Sequence, residues 1–107
     1  MEILDIREDT YKNEIEDYKG TVLIDFFAPW CMPCKMMATV IESVAVSSDG
    51  NVKFCKVNVD EEKELASRFG IMSIPTLVVM ENGEIKNRSI GVTGKKAVAD
   101  MLNVSEM

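Results

Sequence analysis

The segment Val22–Ala28, Val-Leu-Ile-Asp-Phe-Phe-Ala, constrains the fold more than any other stretch of the chain. Six of its seven residues are apolar with no period-two alternation, the pattern of a strand covered on both faces and therefore central in its sheet. Covering both faces takes helices, and helical patterns flank the segment. Thr10–Lys19 predicts a polar-faced helix ended by Gly20. From Cys31 onward, Met36, Met37, Val40, Ile41, Val44 and Ala45 predict a helix packed on the sheet and closed by Asp49-Gly50. Glu2–Ile6 reads as a short first strand and Val52–Val59 as a later one, after which Asp60 is the candidate N-cap of a helix Glu61–Phe69 stopped by Gly70. Thr76–Met80 and Glu84–Ile90 flank Glu81-Asn82-Gly83, the signature of a tight antiparallel hairpin. Thr93 caps a last helix through Leu102, with Ala97, Val98, Met101 and Leu102 facing inward.

This order predicts one α/β domain over residues 1–107, a central mixed five-stranded sheet flanked by four helices, with a right-handed crossover through the Cys31 helix. In such sheets functional groups gather beyond the carboxyl ends of the central strands, where Cys31 lies. At 107 residues a single core needs no metal or crosslink to hold it. The longest apolar runs, Val22–Trp30 and Thr76–Met80, are too short to span a bilayer, and no membrane association is expected. The acidic start, Met1-Glu2-Ile3-Leu4-Asp5, lacks the basic and apolar regions of a secretion signal. Three cysteines, an odd number, also suit a reducing compartment, so a cytoplasmic location is expected. A net charge of −6, with no basic run longer than Lys95-Lys96, argues against nucleic acid as a partner. Proteins or small thiols are the expected partners.

The chemistry concentrates in Trp30-Cys31-Met32-Pro33-Cys34. Residues three apart at a helix start lie on one face, with Cβ atoms about 5–6 Å apart, so this pair can exist as dithiol or disulfide. A thiolate is the attacking species, and unpaired N–H groups and the dipole at a helix start favour it at Cys31. Pro33 suits the first turn because it has no N–H to leave unpaired. Cys34, one turn deeper, is expected to be less exposed, which makes Cys31 the nucleophile and Cys34 the resolving thiol. A structural zinc site needs about four ligands, and with no histidine the chain offers only Cys55 besides this pair. Haem attachment would require histidine where Lys35 stands. Redox chemistry is the reading left, and no bound metal is expected.

Val22–Lys35 resembles the active-site segment of the thioredoxin family, for which this cysteine spacing is a recognised signature. Lys56-Val57-Asn58-Val59-Asp60, Phe69–Leu77, and Asn82-Gly83 followed by Gly91 resemble the same family in order and spacing, so the likeness covers essentially the whole chain. It implies a thioredoxin fold and a protein-disulfide reductase that donates electrons to client proteins through Cys31 and Cys34. It also implies re-reduction by a flavin-containing thioredoxin reductase drawing on NADPH, so NADPH and FAD enter only through that partner and the chain binds no cofactor itself. A monomer is expected.

Asp25 interrupts the apolar strand. A carboxylate there is costly to bury charged and tends to a raised pKa, which suits proton transfer, whereas an Asp at a wet sheet edge would be ordinary. The resemblance implies that Asp25 takes the proton of Cys34, directly or through water, and that Lys56 tunes it; alone, Lys56 reads as a solvated strand residue. Ile-Pro bonds are ordinarily trans, but Ile74-Pro75-Thr76 resembles the family's cis-proline loop, which implies that Pro75 lies against the cysteines. Main-chain groups at Ile74 could then hold a substrate strand. Trp30 reads either as an exposed part of that surface or as a packing residue.

Three positions depart from the family pattern. Met32 stands where glycine is usual, and with Pro33 it is a candidate for tuning the redox potential. A helix-end effect of about 0.3–1 kcal/mol corresponds to only about 6–20 mV, far below the roughly 100 mV between a reductant and a strong oxidant. Thr39 replaces a common proline, so a kink in the second helix is not expected, and Phe27 replaces a common tryptophan. Cys55 reads as a buried small hydrophobe and the eight methionines as core filler. The competing functions are a disulfide oxidase or isomerase, suggested by Met32, and a non-catalytic binding subunit using the Trp30 and Pro75 surface.

Overall fold

The computed structural model describes residues 3–48 and 50–104. Strand β2 (Thr21–Phe27) is central, as its apolar run requires, in a sheet that also holds β1 (Leu4–Asp5), β3 (Val52–Asn58), β4 (Thr76–Glu81) and β5 (Glu84–Ile90). The spatial order is β1-β3-β2-β4-β5. β1, β3 and β2 run parallel, while β4 is antiparallel to β2 and β5 to β4, which makes the sheet mixed. The turn between β4 and β5 places Asn82 at φ 52° and Gly83 at φ 83°, two successive left-handed residues that match the twist of the hairpin.

Four helices among the described residues cover the sheet: α1 (Glu8–Tyr11, continued as a π-helical stretch over Lys12–Glu16), α2 (Met32–Ser47), α3 (Lys63–Arg68) and α4 (Lys95–Val104). Alternation along the strands divides the core in two. Val22, Ile24 and Phe26 of β2, with Cys55, Val57, Val78 and Met80, pack against Tyr11, Ile15, Leu65 and Phe69 from α1, α3 and its end. Leu23, Phe54, Leu77 and Val79 face the other way, onto Met37, Ile41, Val44 and Ala45 of α2 and Val98, Met101 and Leu102 of α4. Fully burying each such side chain is worth about 1.5–3 kcal/mol. Asp25 and Lys56 share the parity of Leu23 and Phe54, so both point toward α2. The sheet thereby delivers them under the helix that starts with the cysteines.

Several boundaries differ from the sequence expectation. The helix expected from Thr10 starts at Glu8, because the Thr10 hydroxyl accepts the Arg7 N–H and the Glu62 carboxylate accepts the Glu8 N–H. It also ends at Glu16, where the π-turn places the Asp17 N–H on the Lys12 carbonyl. Asp60 is not an N-cap: the Asn58 side chain accepts the Asp60 N–H at 2.9 Å and turns the chain, so α3 starts later, at Lys63. α4 begins at Lys95, one residue too late for Thr93 to cap it, and Ala97 is exposed rather than inward. α2 runs unbroken past Thr39. Of the closing pair Asp49-Gly50, Asp49 lies outside the described residues.

Candidate active site

Cys31 is the N-cap of α2, with extended backbone, and Pro33 stands in the first turn where no N–H is needed. The Cys31 sulfur accepts the Cys34 N–H at 3.2 Å, so a first-turn donor of the helix points at it. Cys31 and Cys34 are joined as a disulfide with Cα atoms 5.2 Å apart, within the ordinary range for such a bond. Both residues are almost buried, 5% and 3% exposed, so accessibility in this oxidised form separates them far less than their positions on the helix do. They pack on Ala28, with Phe27, Val59 and Ile74 around them.

Behind Cys34, Asp25 is 6% exposed, and its Oδ1 has no hydrogen-bond partner among the described residues. Burial raises its pKa from 3.8 to about 7, while the nearby Lys56 charge pulls the other way. Lys56 is the direct register partner of Asp25 in the neighbouring parallel strand. Its ammonium also lies 5.9 Å from the centre of the Phe27 ring. Asp25, Lys56, Cys34 and Lys35 line one cavity of ≈ 190 Å³, large enough for water between carboxyl and thiol. The wet-edge alternative for Asp25 is thus excluded by its burial.

On the outer side, the Ile74–Pro75 bond is cis, Pro75 is buried and Ile74 packs against the cysteines. The Pro75 carbonyl accepts the Gly91 N–H at 2.8 Å, whereas Ile74 makes no main-chain hydrogen bond among the described residues. Trp30 is 68% exposed and so is not a packing residue. Its indole Nε1–H donates to Asp60 Oδ2 at 2.7 Å, a contact across thirty residues that the sequence reading did not anticipate. Lys35, which closes the segment resembling the family's active site but was given no role there, also lines the cavity.

The methionines divide, against the expectation of core filler. Met37, Met80 and Met101 are buried, but Met32, Met36 and Met72 are exposed. Met36 was expected to face the sheet; it lies instead one turn from Met32, on the side of α2 that the sheet does not reach. Cys55 is buried as expected, and burial pushes its thiol up to about 12, which leaves it inert. Among the described residues no three His, Cys, Asp or Glu side chains converge as a metal site, and no helix is long and apolar enough to cross a membrane.

Comparison with known proteins agrees with this geometry. The family model described as Thioredoxin matches residues 2–104. The chain is 44% identical over 88 residues to a thioredoxin of Bacillus subtilis, covering 82% of this chain and 85% of that one. It is 39% identical over 97 residues to thioredoxin 1 of a Nostoc species, covering 91% of each. With a thioredoxin of Haemophilus influenzae it shares 36% identity over 102 residues, 95% of each chain. A cysteine pair closed across the first turn of a helix, on a five-stranded mixed sheet matched over nearly its whole length, leaves one conclusion: the chain belongs to the thioredoxin family and catalyses thiol–disulfide exchange through Cys31 and Cys34.

Proposed function

We propose that the chain is a cytoplasmic, monomeric protein-disulfide reductase in which the two cysteines have unequal roles. In the dithiol form the Cys31 thiolate attacks one sulfur of a client disulfide. The client S–S bond breaks, a mixed disulfide forms on Cys31, and the departing client thiolate takes up a proton. Cys34 gives its proton to Asp25 and attacks the Cys31 sulfur. The Cys31–Cys34 bond closes and the second client thiolate leaves, so two electrons have passed to the client. A thioredoxin reductase then returns two electrons from NADPH through its flavin.

The observation that carries this reading is the Cys34 N–H donated to the Cys31 sulfur at the start of α2, which favours negative charge on Cys31 over Cys34. Asp25 supports it from the other side: with a pKa of about 7 the carboxyl is poised to accept a proton near neutrality, and it shares a cavity with Cys34. Lys56 tunes that acid, while Met32 and Pro33 set the start of the helix. Trp30 directly precedes Cys31 and Pro75 follows Ile74, which packs on the cysteines; in this reading they form the client surface, with the free main chain of Ile74 as its strand edge.

The test is Cys34→Ser, which removes the resolving thiol and leaves the nucleophile. Clients should accumulate as mixed disulfides on Cys31, visible as adducts released by a small thiol. Equal trapping by Cys31→Ser through Cys34 would refute the division of labour.

A further inference from the structure

The eight large apolar side chains that stand exposed among the described residues are not scattered evenly. Six of them, Trp30, Met32, Met36, Met72, Ile90 and Val92, belong to the disulfide-bearing start of α2, to the loop whose Ile74 packs on the disulfide, and to the segment hydrogen-bonded to that loop at Pro75. Met32 and Met36 lie on successive turns of α2, Met72 sits two residues before Ile74, and Ile90 and Val92 flank Gly91, which is bonded to Pro75. Half of this apolar rim is thioether. Met32, Met36 and Met72 are 66%, 61% and 96% exposed, whereas Met37, Met80 and Met101 are 0%, 2% and 8%. In the disulfide form the cysteine sulfurs offer no thiolate and Cys55 is buried, so these three thioethers are the exposed sulfur of the described residues.

We propose that Met32, Met36 and Met72 form a peroxide-sensitive modification site that controls client docking. Each thioether sulfur attacks an oxygen of hydrogen peroxide; the O–O bond breaks, a sulfoxide forms, and the other oxygen leaves as water. The sulfur is oxidised by two electrons and the peroxide reduced by two, so no further reactant is needed. A flexible apolar side chain becomes a polar one, and the rim loses half of its apolar members while the Cys31–Cys34 bond stays closed. The proposed reductase activity underlies this inference, because docking matters only if protein disulfides are the substrate.

The experiment treats the disulfide form with hydrogen peroxide, removes the peroxide, and maps sulfoxides by peptide mass spectrometry. Met32, Met36 and Met72 should oxidise at least roughly tenfold faster than Met37, Met80 and Met101. Reduction of insulin, with dithiothreitol as electron donor, should then show a KM raised about fivefold at little-changed kcat, while exchange with the small disulfide cystine keeps its rate. The triple variant Met32→Leu, Met36→Leu, Met72→Leu, compared with its own untreated sample, should lose the response to peroxide. Uniform oxidation of these six methionines, an unchanged KM after selective oxidation, or a triple variant that responds like the parent would each overturn the proposal. An untreated protein that does not reduce insulin at all would instead defeat the reductase reading, and the docking consequence with it.

Discussion

Replacing Asp25 by Asn should stabilise the fold in a pH-dependent way, because the native carboxylate ionises at a cost that the amide never meets. The carboxyl titrates at about 7 in the folded state against 3.8 as an ordinary aspartate. Between those values the folded protein holds a proton that the unfolded chain has lost, so native stability falls as pH rises from about 4 to about 7. The penalty is absent below the lower value and complete above the higher one. At about 1.4 kcal/mol per pKa unit it comes to about 4 kcal/mol, with no discount for solvent screening, since Asp25 is 6% exposed. Urea denaturation of both proteins in the disulfide form measures it. Asp25→Asn should be more stable by about 4 kcal/mol near pH 8.5 and by under about 1 kcal/mol near pH 4. With about 1–3 kcal/mol per molar urea, the alkaline midpoint moves up by at least about 1 M. The pH dependence is the diagnostic, since any packing difference between Asn and protonated Asp is the same at both values. A stability difference that changes by less than about 1 kcal/mol over that range would refute the buried-charge argument.

Lys56→Met removes the one charge that lowers the Asp25 pKa, so an NMR titration of the Asp25 carboxyl should show its midpoint above about 7, and the pH profile of client release should move the same way. A midpoint at or below the parent value would contradict the assigned role of Lys56. Gly83→Ala should destabilise by about 2 kcal/mol or more, because φ is +83° and the added Cβ would meet the Glu16 carbonyl oxygen at 2.6 Å. For a chain of this size that is a fall in Tm of roughly 8–16 °C, and a loss below about 3 °C would show that the turn relaxes.

The element types and their order were legible in the sequence because they rest on local periodicity: the unbroken apolar run of β2, the helical stripes, and Asn82-Gly83 in its hairpin. The cysteine pair was legible for the same reason, since residues three apart at a helix start meet whatever the rest of the chain does. Asp25 stood out as the charge in an apolar strand, and alternation alone places it opposite to Ile24. Helix starts were less legible. α1 depends on Glu62, 54 residues away, for a cap on Glu8, and α3 yields its first turn to the Asn58 side chain.

Register and edges needed the tertiary structure. Periodicity gives the direction of Lys56 from its own strand but not that β3 lies beside β2 with Lys56 level with Asp25, the pairing that gives the carboxyl its cationic neighbour. A helical stripe cannot reveal where the underlying sheet stops, so Met36 read as core although only Met37, one position on, reaches the sheet. The bond from Trp30 to Asp60 likewise joins two loops that only folding brings together. The sequence by itself determined which side chains could do redox chemistry, because thiol reactivity and helix-start electrostatics are local. The tertiary structure decided which of them are dry, which are paired and which stand exposed, because burial and long-range contact belong to the packed chain and to no single segment of it.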